Sequence, residues 1–127
     1  MKKEIAEKWV AALRSGEYEQ GTGCMVQGFD SPKFCCLGVL ADIYRKEVSK
    51  KPFSIIAIKN LSTEGLNELP SSKIAKWAGF NVKEDESVDP MIKTKNNGDV
   101  CLSELNDETL KSFKWIAKKI EKQWESL

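Results

Sequence analysis

The sequence contains no histidine. A Cys–His or Ser–His pair therefore cannot be assembled within these 127 residues, and imidazole-ligated metal sites are excluded with it. Any proton transfer falls to Asp, Glu, Lys, Tyr or Cys. An excess of one charge is missing too: 20 basic residues face 19 acidic ones, for a net charge of +1. Nothing in the whole-chain balance draws it to long nucleic acid or to a membrane surface. No stretch approaches the roughly 18 apolar residues that span a bilayer, and Met1-Lys2-Lys3-Glu4-Ile5 is charged where a leader peptide would be apolar. A cytoplasmic protein without membrane contact is expected. The four cysteines, Cys24, Cys35, Cys36 and Cys101, show no Cys-x-x-Cys spacing, so neither a thioredoxin-type site nor a zinc ribbon is indicated. A zinc site would have to gather all four thiols from distant parts of the chain. Small buried apolar positions suit them better, and no metal or cofactor is expected.

What is present suits one domain, residues 1–127, burying roughly two thirds of its unfolded surface. The unbroken apolar run Phe34-Cys35-Cys36-Leu37-Gly38-Val39-Leu40 reads as a strand end passing straight into a buried helix that continues to Lys46. Before it, Ile5, Ala6, Trp9, Ala12 and Leu13 recur at three- and four-residue spacing and predict a helix over 2–15, closed by Ser15-Gly16. Gly21 and Gly23 fit no phosphate-loop motif and read as turn residues. Cys24–Gln27 and Lys33–Cys36 predict a short hairpin in which Cys24 could face a later thiol. The Phe53–Ile58 run reads as a strand or extended core segment, and residues 60–68 as a loop. A short helix follows, capped by Ser71 or Ser72 and ended by Gly79. Lys83 to Pro90 is a charged loop. Met91–Thr94 and Val100–Leu102 flank an Asn-Gly turn and predict a second hairpin.

The last helix is expected to start at Asn106 as its N-cap, with Asp107 and Glu108 in the first turn and Leu105 and Leu110 as a hydrophobic staple. Leu110, Phe113, Ala117, Ile120 and Trp124 would form its apolar stripe. The fold class is then α+β, with terminal helices packed against two short β-hairpins.

Trp115 breaks the helical pattern. At about 100° per residue it points away from the stripe, among Lys111, Lys118, Lys119 and Lys122. Three readings compete: a subunit or partner interface; a stacking platform whose lysines attract phosphate; or a second core contact, with the 83–90 loop folded over the ring.

Several segments together resemble a group of small tailed-bacteriophage proteins. They are Trp9-Val10-Ala11-Ala12-Leu13-Arg14-Ser15-Gly16-x-Tyr18-x-Gln20, Phe34 and the Cys-Cys-Leu-Gly-Val-Leu motif at 35–40, Leu69-Pro70 leading to Trp77-Ala78-Gly79, and Leu105-Asn106-Asp107 leading to Ser112-Phe113 and Ile116-Ala117. The resemblance implies a viral accessory protein acting inside a bacterium. Phage proteins of this size often blunt host defence, by binding a defence protein or by sequestering a nucleotide signal. If the chain ends meet at the first hairpin, the matching polar residues could ring a pocket. Arg14 would bind an anion, Tyr18 would stack or donate a hydrogen bond, and Gln20 and Asn106 would read base or ribose edges beside Asp107. Each also has an ordinary structural role: helix cap, dipole partner or turn residue. The leading expectation is a non-catalytic homo-oligomer that captures a small nucleotide-derived signal, with Arg14, Tyr18, Gln20, Asn106, Asp107, Lys111 and Trp115 as the binding set. A protein-binding inhibitor acting on a host or phage protein is the alternative. A cysteine-dependent enzyme is a further one, disfavoured by the missing histidine.

Overall fold

Helix α1 (Lys3–Arg14) and helix α6 (Phe113–Gln123) pack side by side, joining the two halves of the sequence. The computed structural model describes residues 1–81 and 88–127. α1 buries Ile5, Ala6, Trp9, Val10 and Leu13, the stripe its periodicity predicts. α6 answers with Phe113, Ile116, Ala117 and Ile120. Trp9 is fully buried, and its indole N–H donates to the Cys36 carbonyl at 2.9 Å, so the one polar atom of the ring is satisfied.

Helix α2 (Cys36–Tyr44), all of whose residues but Tyr44 are buried, packs against α1. It is fed by a three-stranded sheet in which β3 (Lys33–Phe34) runs between β1 (Glu19–Gln20) and β2 (Val26–Gln27). The β2–β3 pair is the predicted hairpin. β1 is an addition that lies parallel to β3, with Gln20 opposite Phe34. Cys35 caps α2, its sulfur accepting the Gly38 N–H at 3.3 Å. At Gly38 a Cβ would sit 1.8 Å from the Met25 carbonyl oxygen, so only glycine allows the first turn of α2 to pass this close to β2. That contact gives the glycine of the Cys-Cys-Leu-Gly-Val-Leu motif its physical reason.

α2 ends in a π-turn, Arg45–Ser49, closed by Lys50 at φ 53°. The Phe53–Ile58 run is helical rather than extended: α3 (Ile55–Lys59) starts where the Ser54 side chain accepts the Ala57 N–H at 3.0 Å. A local cap outweighs the strand preference of three isoleucines. A single 3₁₀ turn (Thr63–Gly65) leads to α4 (Ser72–Ala78), which ends as expected at Gly79, φ 74°. Strands β4 (Met91–Thr94) and β5 (Gly98–Cys101) form the Asn-Gly hairpin. The Gln123 carboxamide of α6 both accepts from the Lys93 N–H (2.8 Å) and donates to its carbonyl (3.0 Å), fastening β4 to the helix.

The C-terminal region departs from expectation at one point. Asn106 does not cap the last helix; it lies inside a separate short helix, α5 (Leu102–Asp107), and is wholly buried. The cap of α6 is Ser112, whose hydroxyl accepts the Trp115 N–H at 3.2 Å. Between the two helices the chain reverses at Leu110, which adopts φ 50° and is 70% exposed. The Leu105–Leu110 staple is therefore not formed, and Leu110 is outside the apolar stripe. The expected α+β class stands, with helices at both ends packed on two small sheets. Among the described residues no helix is long and apolar enough to cross a membrane.

Candidate functional site

The polar residues singled out in the sequence fall into three separate places. Gln20 and Asn106 meet in the interior. Gln20 Nε2 donates to Asn106 Oδ1 (2.9 Å) and to the Lys111 carbonyl (2.8 Å), while its Oε1 accepts the Phe113 N–H (3.1 Å). Asn106 Oδ1 also accepts the Cys36 N–H (3.2 Å), and Nδ2 donates to the Gly21 carbonyl (2.8 Å) and to Asp107 Oδ1 (2.6 Å). These amides tie β1, the start of α2, α5 and the start of α6 together. Their protons are committed to protein partners, and with Asp107 they form a packed polar knot rather than the rim of a pocket.

Tyr18 lies elsewhere, against α2. Its hydroxyl donates to Asp42 Oδ2 (2.6 Å) and accepts from Lys46 Nζ (3.1 Å), and its ring meets Phe34 edge-on. Burial, then the hydrogen bond to Asp42, raise the phenol above its ordinary range. Asp42 is itself buried and takes the Arg45 Nε at 2.6 Å. Arg14 turns to α6, where its two terminal nitrogens grip Glu121 at 3.1 and 2.8 Å. The pair lies on the wall of a cleft shared with Lys3, Glu7 and Trp124, so Arg14 is apart from the Gln20–Asn106 group and from the Trp115 cleft.

The last two residues of the expected set, Trp115 and Lys111, do come together. The hairpin turn Thr94–Asn97 faces Leu105, Thr109, Lys111, Trp115 and Lys119 across a cleft of about 320 Å³. Trp115 is half-buried, one part packed on the core and the rest lining this cleft. The ammonium groups of Lys111 and Lys119 each lie 5.2 Å from its ring centroid, at the distance of cation–π contact. Lys95 adds a third positive charge, and no acidic residue lines the cleft. Among the described residues none of these lysines is in an ion pair. The Ser112 cap sets the helix start and the Gln20 bond to the Lys111 carbonyl sets the segment before it, so the knot indirectly positions the cleft wall. Of the expected cover over Trp115, residues 83–87 lie outside the described residues; Asp89 bonds instead to the Ser103 N–H at 3.1 Å.

Sequence reading did not place Lys95, Asn96, Asn97 and Thr109 in this cleft. The Asn-Asn-Gly signal marked the turn, but only the docking of β4 on α6 brings it to Trp115.

All four cysteines are free, and burial raises each thiol: Cys35 to about 12, Cys36 well above its ordinary value, Cys24 and Cys101 in the same direction. A buried, protonated thiol is a poor nucleophile. Among the described residues no three His, Cys, Asp or Glu side chains are grouped to hold a metal ion.

No curated protein and no solved structure matches the chain. One family does, over residues 1–124, under the description Domain of unknown function (DUF8296). With nearly its whole length matched, the chain belongs to the DUF8296 family.

Proposed function

We propose that this protein captures a small phosphorylated aromatic molecule, a nucleotide-derived signal, in the Trp115 cleft and holds it chemically unchanged. One observation carries the reading: a half-buried indole has two ammonium groups at 5.2 Å in a cleft with three lysines and no carboxylate. A base can stack on the ring while phosphate replaces the lysine–ring contacts, and Asn96, Asn97 and Thr109 offer donors and acceptors to the remaining edges. The cleft volume of about 320 Å³ falls within the range of small-molecule sites. Raised thiol pKa values argue against covalent chemistry, and the likeness of the motifs to small phage proteins supports a role in countering bacterial defence by sequestration.

The test is calorimetric titration with a panel of cyclic dinucleotides and ADP-ribose derivatives, followed by heat release and mass analysis of the ligand. One panel member should bind and be recovered intact, and Trp115→Ala should weaken it by roughly 1–3 kcal/mol. Undiminished affinity in Trp115→Ala, or recovery of an altered compound, would overturn the reading.

A second reading, a protein-binding face, is favoured by Leu110. It is 70% exposed and held at φ 50° beside Lys111, an apolar side chain displayed next to the same cleft. On that reading Leu110→Ala removes a pull-down from a bacterial lysate, and the nucleotide panel gives no heat.

A further inference from the structure

The π-turn that ends α2 builds a second cationic recess, which shares no lining residue with the Trp115 cleft. Arg45 is 8% exposed and pinned from three sides. Its Nε donates to Asp42 at 2.6 Å, its Nη1 donates to the Lys51 carbonyl at 2.7 Å, and its guanidinium lies 5.5 Å from the Phe53 ring centroid. The Lys50 N–H closes the π-turn on the Arg45 carbonyl at 2.7 Å and turns the chain so that Lys51 returns over the arginine.

The result is a cavity of about 200 Å³ lined by Arg45, Lys51 and Lys73, with Tyr44, Ser49 and Asn60 as polar neighbours. No carboxylate lines it. Asp42 offsets the charge of Arg45, but Lys51 and Lys73 are in no ion pair among the described residues. A positive, partly enclosed recess with a preorganised guanidinium suits a compact oxyanion. At about 200 Å³ it is too small for a whole nucleotide-sized ligand. It shares Lys51, Ala57 and Asn60, however, with an adjacent apolar recess of about 340 Å³ walled by Pro52, Phe53 and Ile56. Phe53 and Ile56 are 41% and 69% exposed there.

We propose that this is a binding site for a phosphate monoester: the phosphoryl group sits against Arg45, Lys51 and Lys73, and an apolar or aromatic body rests on Phe53 and Ile56. The site is separate from the Trp115 cleft and does not depend on it.

Amide-resolved NMR titration of the full chain with inorganic phosphate and with phenyl phosphate, at fixed ionic strength, tests the proposal. Both probes should shift amides around 45–51 and 73, with phenyl phosphate the tighter. Lys51→Gln with Lys73→Gln, both exposed positions that leave the fold intact, should weaken phenyl phosphate roughly tenfold or more through the lost charge-assisted bonds. Ile56→Ser should remove the advantage of phenyl phosphate over inorganic phosphate at this site, and Trp115→Ala should leave the shifts around 45–51 and 73 unchanged. The proposal is overturned if neither probe shifts the amides around 45–51 and 73, if the double lysine variant shows those shifts at the same concentrations as the original protein, or if Trp115→Ala abolishes them. That last outcome would assign the phosphate to the other cleft.

Discussion

The Gln20 and Asn106 carboxamides meet at 2.9 Å across 86 residues of sequence, and both protons of each amide are donated inside the protein. Two residues that look like ligand readers on paper are thus the fastening between the N-terminal sheet and the C-terminal helices. Asn106→Ala would leave the Cys36 N–H, the Gly21 carbonyl and the Gln20 amide short of a partner in a buried site. Each buried group left unsatisfied costs about 1–3 kcal/mol, so the loss should be roughly 3 kcal/mol or more. Urea unfolding measures it, and a near-neutral result would show that the knot is not structural.

Gly38→Ala tests the close passage of α2 under β2. Its Cβ would collide with backbone, at 1.8 Å from the Met25 oxygen, and backbone cannot rotate away. The variant should be recovered unfolded or with its stability cut by roughly 3 kcal/mol or more, as for severe overpacking. Gly16→Ala is the control. It has φ +77° but nothing within 4 Å, so it should cost only about 1 kcal/mol.

The helix caps separate in the same way. Ser112→Ala and Ser54→Ala each remove a side-chain bond to a helix N–H and should cost about 1 kcal/mol. Ser71 stands at the N-cap of α4 without such a bond, so Ser71→Ala should change stability by only a few tenths, about 0.3 kcal/mol. Thermal unfolding of the three variants checks the order. Equal losses at all three positions would contradict the assigned caps.

Alkaline pH should loosen the fold through its thiols. Burial raises Cys35 from its ordinary 9.0 to about 12 and raises Cys36 as well. Above the ordinary value the unfolded chain has released these protons while the folded chain still holds them. The stabilisation is therefore complete below pH 9.0 and is lost as pH climbs toward about 12. Each such thiol contributes a slope of about 1.4 kcal/mol per pH unit once the pH is well above that ordinary value. Urea midpoints measured from about pH 8 to about pH 10 should fall, and Cys35→Ala should make the fall shallower. An unchanged slope in that variant would mean Cys35 is not the titrating group.

Much of the fold was legible because its signals are local. The Ile5–Leu13 periodicity, the Asn-Gly turn and the Gly79 stop are written in neighbouring residues, and each produced its element. The failures came where two local signals compete. Asn106 and Ser112 are both good caps, and the choice between them was made by a buried partner, Gln20, far away in sequence. Two-residue β1 gives no periodic signal at all; its parallel pairing with β3 exists only once the chain has closed.

The candidate site divides along the same line. Trp115 and Lys111 stood out because a large ring among lysines violates the pattern of their own helix. Lys95 and Asn96 carried only a turn signal, and their place in the cleft depends on how the second hairpin docks. Arg14, Tyr18 and Gln20 were conspicuous as polar residues, but their partners, Glu121, Asp42 and Asn106, lie too far along the chain for spacing to reveal.

The paired bonds between the Gln123 carboxamide and the backbone of Lys93 bear on self-association. A two-stranded ribbon normally leaves a free edge on which a foreign strand can template itself. Here a helix side chain imitates a neighbouring strand at the middle of that edge. With the N–H and the carbonyl of Lys93 both taken, a foreign strand can pair at that position only by first displacing the carboxamide.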